Sequence, residues 1–234
     1  MKDDKRIVSS LDASQISADK IQIEPINTQT YVMLTMKVNL INQSFEVLTP
    51  SYVYVDFARN IERFGRVCYK SEKIITAQSS ERFVKKLIRS GHESVLEHCN
   101  LTVKFITDRA TANALVRHRH CAFSQESTHY IDYLIRDKLE IIKQAGFTDE
   151  QLLKEVTKIL SIYLDNEQIA PSIRRALLPL CFKTELIMTT NLREWRHILK
   201  IRTAANCHPQ MKELMLKLLD WFEETLPIIV PEFT

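Results

Sequence analysis

Glycine is nearly missing: the chain has three in 234 residues. None of the Gly-rich loops that wrap phosphates in bare backbone amides can be built from so few. A strong charge of one sign is missing too. The formal net charge is +3, too small to attract nucleic acid or a membrane surface in bulk. An anionic ligand must therefore be met by local clustering. The five cysteines, at 68, 99, 121, 181 and 207, are odd in number and show no CxxC spacing. With no signal peptide and no apolar run long enough to span a bilayer, this usage points to a reducing, cytoplasmic setting. What is present, 45% hydrophobic and 26% charged residues, fits a globular protein with a core and argues against disorder. The length suits one large domain or two small ones.

Residues 1–35 are polar and irregular, apart from a short apolar patch at Tyr31-Val32-Met33. They read as an extension outside the domain, or an upstream start, with the domain itself over 36–234. From Met36 a strand begins, Lys37 to Ile41. Phe57, Ile61, Phe64 and Cys68 then recur at helical spacing, with Gly65 interrupting late. Ser80 is placed to cap a second helix with Phe83, Val84, Leu87 and Ile88 inward. Gly91 stands where a C′ glycine belongs. Asn100 to Thr107 alternates as a half-buried strand. Asp108 can cap a helix leading through Ala112 and Leu115 into Arg117.

Further on, Thr148 and Gln151 form a capping box ahead of Leu152, Val156, Ile159, Leu160 and Tyr163. Pro171 suits a first helical position, and Pro179 ends that segment. Phe182 to Met188 alternates again. Thr190 is placed to cap a helix from Asn191 to about Arg202. Pro209 opens a last helix with an apolar stripe from Met211 to Phe222. Irregular alternation of helix and strand, with no repeat and no linker, predicts α+β: a single domain with mixed helices around a small, mainly antiparallel sheet.

One stretch carries most of the polar chemistry. Arg117-His118-Arg119-His120 opens it, and Ser124-Gln125-Glu126-Ser127-Thr128-His129 follows. Two readings are open for it: an exposed basic turn, or a pocket holding several anionic or polar oxygens at once. His92-Glu93-x-x-x-Glu97-His98 looks metal-like, but its histidines are six apart and point to different helical faces, so no metal site is expected. Arg202 continues the buried stripe of Leu192, Trp195 and Leu199, which requires either a structural carboxylate or a ligand for its head. Arg193 and His197 lie one turn apart beside Asn191. Cys121 and Cys207 are the thiols placed to act as nucleophiles, although a free Cys is more often buried and inert.

Arg117-His118-Arg119, seven residues and then Ser127 resembles the signature of the flavin-dependent thymidylate synthases. Three further segments agree in order: Gly91 to His98, Arg175-x-x-Leu178-Pro179, and Asn191-x-Arg193-x-x-x-His197 followed by Arg202. Together they span roughly Met36 to Phe233. The resemblance implies an FAD enzyme that methylates dUMP to dTMP, with 5,10-methylenetetrahydrofolate as carbon donor and NADPH as reductant. It implies a homotetramer with active sites between subunits, and neither nucleic-acid nor membrane partners.

By motif position, Ser94, Arg117, His118, Arg119, Gln125, Asn191, Arg193 and His197 would contact FAD. Arg117, Gln125, Glu126, Ser127, Thr128, His129, Arg175 and Arg202 would contact dUMP, with Arg202 and Ser127 catalytic. His92 would lie near the folate. His129 stands where the family usually has Arg, and Ala114 where a polar residue is common. A flavin reductase without methylation would have lost Arg175 or Arg202, and both are present. A nucleic-acid module reading the Arg/His run beside Phe123 and Tyr130 lacks a basic stripe to support it.

Overall fold

The computed structural model describes residues 37–135 and 138–230. The reading of 1–35 as an extension falls outside them. In chain order come β1 (Lys37–Ile41), β2 (Ser44–Val47), α1 (Ser51–Tyr54), α2 (Phe57–Val67), α3 (Ser79–Arg89), β3 (Asn100–Asp108), α4 (Arg109–Leu115), β4 (Cys121–Gln125), β5 (Lys138–Ile142), α5 (Asp149–Leu164), α6 (Pro171–Arg174), β6 (Lys183–Asn191), α7 (Leu192–Arg202) and α8 (Pro209–Thr225). Short 3-10 turns cover Glu93–His98 and Arg175–Leu177.

The antiparallel sheet runs β2-β3-β6-β4. Its long central pair sets Leu101 opposite Thr190, Val103 opposite Met188 and Phe105 opposite Leu186. Strict alternation turns these residues to one face. There Leu101, Val103, Phe105, Leu186 and Met188 join Ile61, Val84, Trp195, Leu214 and Leu218 in the main core. Each such aliphatic side chain contributes about 1.5–3 kcal/mol on burial. Trp195 is fully buried, and its indole N–H donates to the Leu101 carbonyl at 3.1 Å.

A parallel pair, β1 with β5, was not foreseen. Leu139 and Ile141 of β5 pack with Leu152, Val156, Leu160 and Tyr163 of α5 in a second cluster, against Val38 and Leu40 of β1. A buried polar network ties the two regions together. Gln43 donates to the Gln210 carbonyl at 2.7 Å and accepts from the Thr107 hydroxyl at 3.1 Å, and Gln210 donates to the Lys143 carbonyl at 2.8 Å. Buried amides need such partners, since each one left unpaired costs about 1–3 kcal/mol.

Local signals held where side chains make the cap. Asp108 accepts from Thr111 N, and the Thr148–Gln151 box is complete. Other expectations need correction. Ser80 lies inside α3, whose N-cap is Gln78 with no side-chain bond, because the chain enters the helix two residues earlier. Asn191, not Thr190, caps α7, accepting from Glu194 N at 2.9 Å; Thr190 is still in β6. Phe64 and Ile159 are 41% and 42% exposed. In α2 the inward row is Phe57, Ile61 and Gly65, rotated from the expected one. Gly65 does not break the helix. A Cβ there would meet the Phe83 ring of α3 at 2.8 Å, so the glycine lets two helices approach.

Two helices end alike. At the end of α3, His92 N donates to Leu87 O and Gly91 N to Ile88 O, with Gly91 at φ +70. That is a Schellman motif with glycine in its left-handed position. At the end of α2 the same bonds run from Ser71 N to Arg66 O and from Lys70 N to Val67 O, but here Lys70 holds φ 49. A non-glycine in that region costs roughly 1–2 kcal/mol.

Candidate active site

The polar stretch is more than the exposed basic turn that was one of its two readings: residues 117–120 do turn after α4, but a strand follows them. Residues 121–125 form β4, an edge strand on β6. Sequence reasoning missed it because the strand is short and its outward residues, Ala122 and Ser124, are exposed and small. The turn before β4 is pinned by Thr190, whose hydroxyl donates to the His120 carbonyl at 2.6 Å. The turn after it is pinned by Glu126. Its carboxylate accepts from Tyr133 Oη at 2.9 Å, Lys183 Nζ at 3.2 Å and Glu185 N at 3.1 Å.

Charges around this anchor are strongly biased. The Lys104 and Lys183 ammonium groups pull the Glu185 carboxyl down to about 2. Burial would lower the Lys183 pKa, but bonding to Glu185 and Glu126 outweighs it and the net direction is up. Burial, reinforced by Glu126, pushes the Tyr133 phenol up. All three therefore hold their neutral-pH charge states, and the strand end is electrostatically fixed.

Within the basic run the side chains alternate. Arg117, Arg119 and His120 are exposed, and His118 turns inward at 6% exposure. Among the described residues neither Arg117 nor Arg119 has a hydrogen bond or ion pair, so two cations stand unpaired on either side of a buried imidazole. His118 is the hub of the site. Arg202 Nε donates to its Nε2 at 3.0 Å, and its Nδ1 lies 3.5 Å from Glu194 Oε1. Donation into Nε2 requires the Nδ1–H tautomer. Burial, then the Arg202 and His197 charges, lower its pKa to about 4. The His118–Glu194 contact is thus a long N–H···O approach to a neutral ring, not an ion pair.

Of the two partners expected for Arg202, the structural carboxylate is not the one it meets. Its Nη2 donates to the Ala114 carbonyl at 3.2 Å and its Nε to His118. No carboxylate lies within ion-pair distance among the described residues, and no protein atom there accepts from Nη1. A half-buried guanidinium held on two edges with one corner open is set up to receive an uncharged or anionic oxygen.

A cleft of about 830 Å³ adjoins the start of α7 and brings together Asn191, Arg193, His197 and His120, with Arg89, Lys200, Glu93, Glu97 and Glu194 also on its walls. Arg193 pairs across it with Glu97 at 2.5 Å. Arg196, which also lines it, was missed by sequence reasoning although it sits on the Leu192-Trp195-Leu199 stripe. Its Nη1 donates to the Ile229 and Val230 carbonyls and its Nη2 to Glu93 at 3.3 Å. Its Nε is buried without a partner.

The remaining candidates stand apart. Ser94 and His92 are exposed on the 3-10 turn and the residue before it. Gln125 donates weakly to Thr184 Oγ1 at 3.4 Å. Ser127 Oγ accepts from His129 N at 3.3 Å, which leaves its proton free to donate; Thr128 is buried, and exposed His129 sits edge-on to Tyr130. Arg175 is exposed, while its neighbour Arg174 is buried, paired with Asp132 at 2.5 Å and stacked 4.7 Å over Tyr163. Among the described residues, no hydrogen bond or ion pair joins Arg175 or the 127–129 turn to the cleft. Among the described residues no three His, Cys, Asp or Glu side chains stand close enough to hold a metal ion, and no helix of theirs is long and apolar enough to cross a membrane.

Comparison with known proteins bears on this geometry. The family model described as thymidylate synthase complementing protein matches residues 53–228. A flavin-dependent thymidylate synthase of Corynebacterium aurimucosum is 27% identical over 196 residues, 74% of this chain and 78% of that protein. The enzyme of the same name from Pyrococcus furiosus is 28% identical over 176 residues, 71% of this chain and 72% of that one. Among solved structures, the UMP/dUMP methylase PolB of Streptomyces cacaoi, bound with 5-Br dUMP, has a TM-score of 0.64 at 22% identity, over 81% of this chain and 94% of that one. Thymidylate Synthase X of Helicobacter pylori, with FAD and dUMP, has a TM-score of 0.62 at 17% identity, over 80% and 99%. At these identities the two structures establish the fold.

Proposed function

The chain belongs to the thymidylate synthase complementing protein family, and from that membership we propose that it is a flavin-dependent thymidylate synthase. The reaction is methylation of dUMP at C5 to give dTMP, with FAD as cofactor, 5,10-methylenetetrahydrofolate as carbon donor and NADPH as reductant. The observation that carries the reading is Arg202, a half-buried guanidinium fixed by His118 and the Ala114 carbonyl with one corner open.

The residues present fit a flavin dinucleotide. The cleft at the start of α7 offers Asn191, Arg193 and His197, and the unpartnered Arg196 Nε needs an acceptor. A helix start also favours phosphate oxygens. Ser94, Arg117, Arg119 and Gln125 would add contacts. His118, buried and neutral, would act by positioning Arg202 and the turn between its exposed neighbours. When bound, FAD supplies the redox chemistry that delivers reducing equivalents from NADPH.

The nucleotide would be held by Arg117, Gln125, the Ser127–Thr128–His129 turn and Arg175. Glu126, whose oxygens are engaged internally, would set that turn in place. Arg202 against the N3–carbonyl edge of the uracil would favour loss of the N3 proton, because a permanent cation stabilises the anionic ring. The electron-rich ring is then a better nucleophile at C5 toward the folate carbon, with His92 near the folate. Ser127 would donate its hydroxyl proton to the nucleotide.

Arg175 and the 127–129 turn do not line the cleft, which agrees with sites shared between subunits, as in a homotetramer. Light scattering on the purified protein tests that assembly. The free state of all five cysteines is consistent with a cytoplasmic location.

Arg202→Lys and Arg202→Ala test the central assignment. Both should retain flavin. The Lys variant should form dTMP much more slowly, because an ammonium cannot reproduce the planar fork, and the Ala variant more slowly still. Melting temperature, flavin content and dTMP yield are read on the same samples. A stable, yellow Arg202→Ala protein with normal dTMP yield would overturn the assignment.

A further inference from the structure

We propose that a cationic track along α3 binds the poly-γ-glutamyl tail of the folate co-substrate; the proposal rests on the reading just given. The exposed side of α3 carries Arg82, Lys85, Lys86 and Arg89, a short basic stripe that corrects the sequence reading of none. Among the described residues none of the four takes part in an ion pair. Lysines and arginines on a solvated helix face usually alternate with acids, and α3 has one, Glu81.

These cations line real concavities. A cleft of about 510 Å³ is walled by Arg82, Lys85, Lys86 and Arg89, with Glu81 at its edge. A second, of about 590 Å³, is walled by Arg66, Tyr69, Arg82, Phe83, Lys86 and His92, and no carboxylate lines it. Arg82 and Lys86 belong to both, and Arg89 also lines the cleft at the start of α7. The track therefore runs without a break from the candidate cofactor cleft to the far end of the second concavity.

That far end is built rather than incidental. Glu62 holds the Arg66 guanidinium at 2.7 Å, and its plane lies 4.4 Å from the Phe83 ring centre. Tyr69, 70% exposed, stands at the rim, followed directly by Lys70 in its left-handed conformation.

The spacing selects the ligand. Arg82, Lys86 and Arg89 follow one another on one helix face, rising about 6 Å and then about 4.5 Å. A phosphate is recognised by guanidinium forks that converge on one point. A line of separate cations instead matches a chain with one carboxylate per repeat, which is what a γ-linked oligoglutamate is. His92, the residue assigned to the folate, lies at the edge of the second cleft; the tail leaves folate from its glutamate, at the end opposite the pterin, so a folate whose glutamate end lies at His92 would send its tail down α3.

The test compares mono- and pentaglutamyl methylenetetrahydrofolate in the FAD-loaded enzyme and in its Arg82→Gln/Lys86→Gln variant, alongside calorimetry with free penta-γ-glutamate. In the wild type the KM for the pentaglutamyl form should be about tenfold below that for the monoglutamyl form, the size expected of a few screened surface pairs acting together. The variant should bring that ratio close to one, through KM rather than kcat. Free penta-γ-glutamate should bind the wild type in low salt and not the variant. Equal KM values in the wild type, or a ratio retained in the variant, would overturn the proposal. So would a variant that loses NADPH affinity, at a normal NADH KM, while keeping its folate discrimination: the track would then serve the dinucleotide phosphate. A wild type that forms no dTMP with either folate defeats the functional reading instead; the calorimetry still reads the track alone, and absence of binding there overturns the tail assignment.

Discussion

His118 is buried with its ring neutral, and this should appear as a pH slope in stability. Its pKa is about 4 in the folded chain and near 6.5 in an unfolded one. Because the folded pKa is depressed, the unfolded state binds more protons between these values, and stability rises with pH across that window. The contribution is complete above about pH 6.5 and is lost progressively as pH falls toward 4. Between pH 7 and pH 5 the loss works out at about 2 kcal/mol. The side chain is 6% exposed, so little of that is screened by solvent. Other groups titrate over the same range, so the measurement is a difference. Urea unfolding of the flavin-free wild type and of His118→Gln is followed at pH 7, 6 and 5 at fixed protein concentration. The variant should be less stable at pH 7, because Arg202 and Glu194 lose their common partner. It should then lose about 2 kcal/mol less than the wild type on going to pH 5. Parallel pH curves for the two proteins would refute the argument.

Other outcomes follow from packing and charge. Gly65→Ala should lower stability by about 1 kcal/mol, since the clash with the Phe83 ring outweighs the helix propensity gained; in a Phe83→Ala background the same change should stabilise, as thermal melts of the four proteins would show. Asp132→Asn should cost about 3 kcal/mol in chemical denaturation, because it leaves the fully buried Arg174 charge without its counter-ion. Cys121→Ala should keep dTMP formation: burial raises that thiol's pKa, outweighing the opposing influence of the nearby Thr190 side chain, which makes a thiolate scarce at neutral pH. Loss of product in the folded variant would restore Cys121 as a nucleophile.

What could be read in advance was what local chemistry decides. The Asp108 cap and the Thr148 box depend on residues within one helical turn, and both form. The α8 stripe from Met211 to Phe222 is likewise fixed by its own period. What could not be read depended on distant partners. β5 becomes a strand only because β1 lies beside it, and β4 only because β6 offers an edge. In the site, Asn191, Arg193 and His197 could be grouped from their spacing on one helix, and they share a cleft. The inward turn of His118 between two outward arginines could not, since its cause is Arg202 and Glu194 on α7. Arg196 was legible and overlooked: it falls on the buried stripe, but a charged residue was read past.

The pairing of β1 with β5 has a consequence for the order of assembly. Lys37 meets Lys138 and Ile41 meets Ile142 in parallel, about a hundred residues apart along the chain. A ribosome adding about 5–20 residues each second needs at least several seconds to supply the second strand after the first has been made. Throughout that interval β1 has no strand to lie against, while α2, α3 and β3 are already available to one another. The earliest strand of the described fold therefore waits unpaired while everything up to Lys138 is made, and until then it is an open edge that a second nascent chain or a chaperone could occupy.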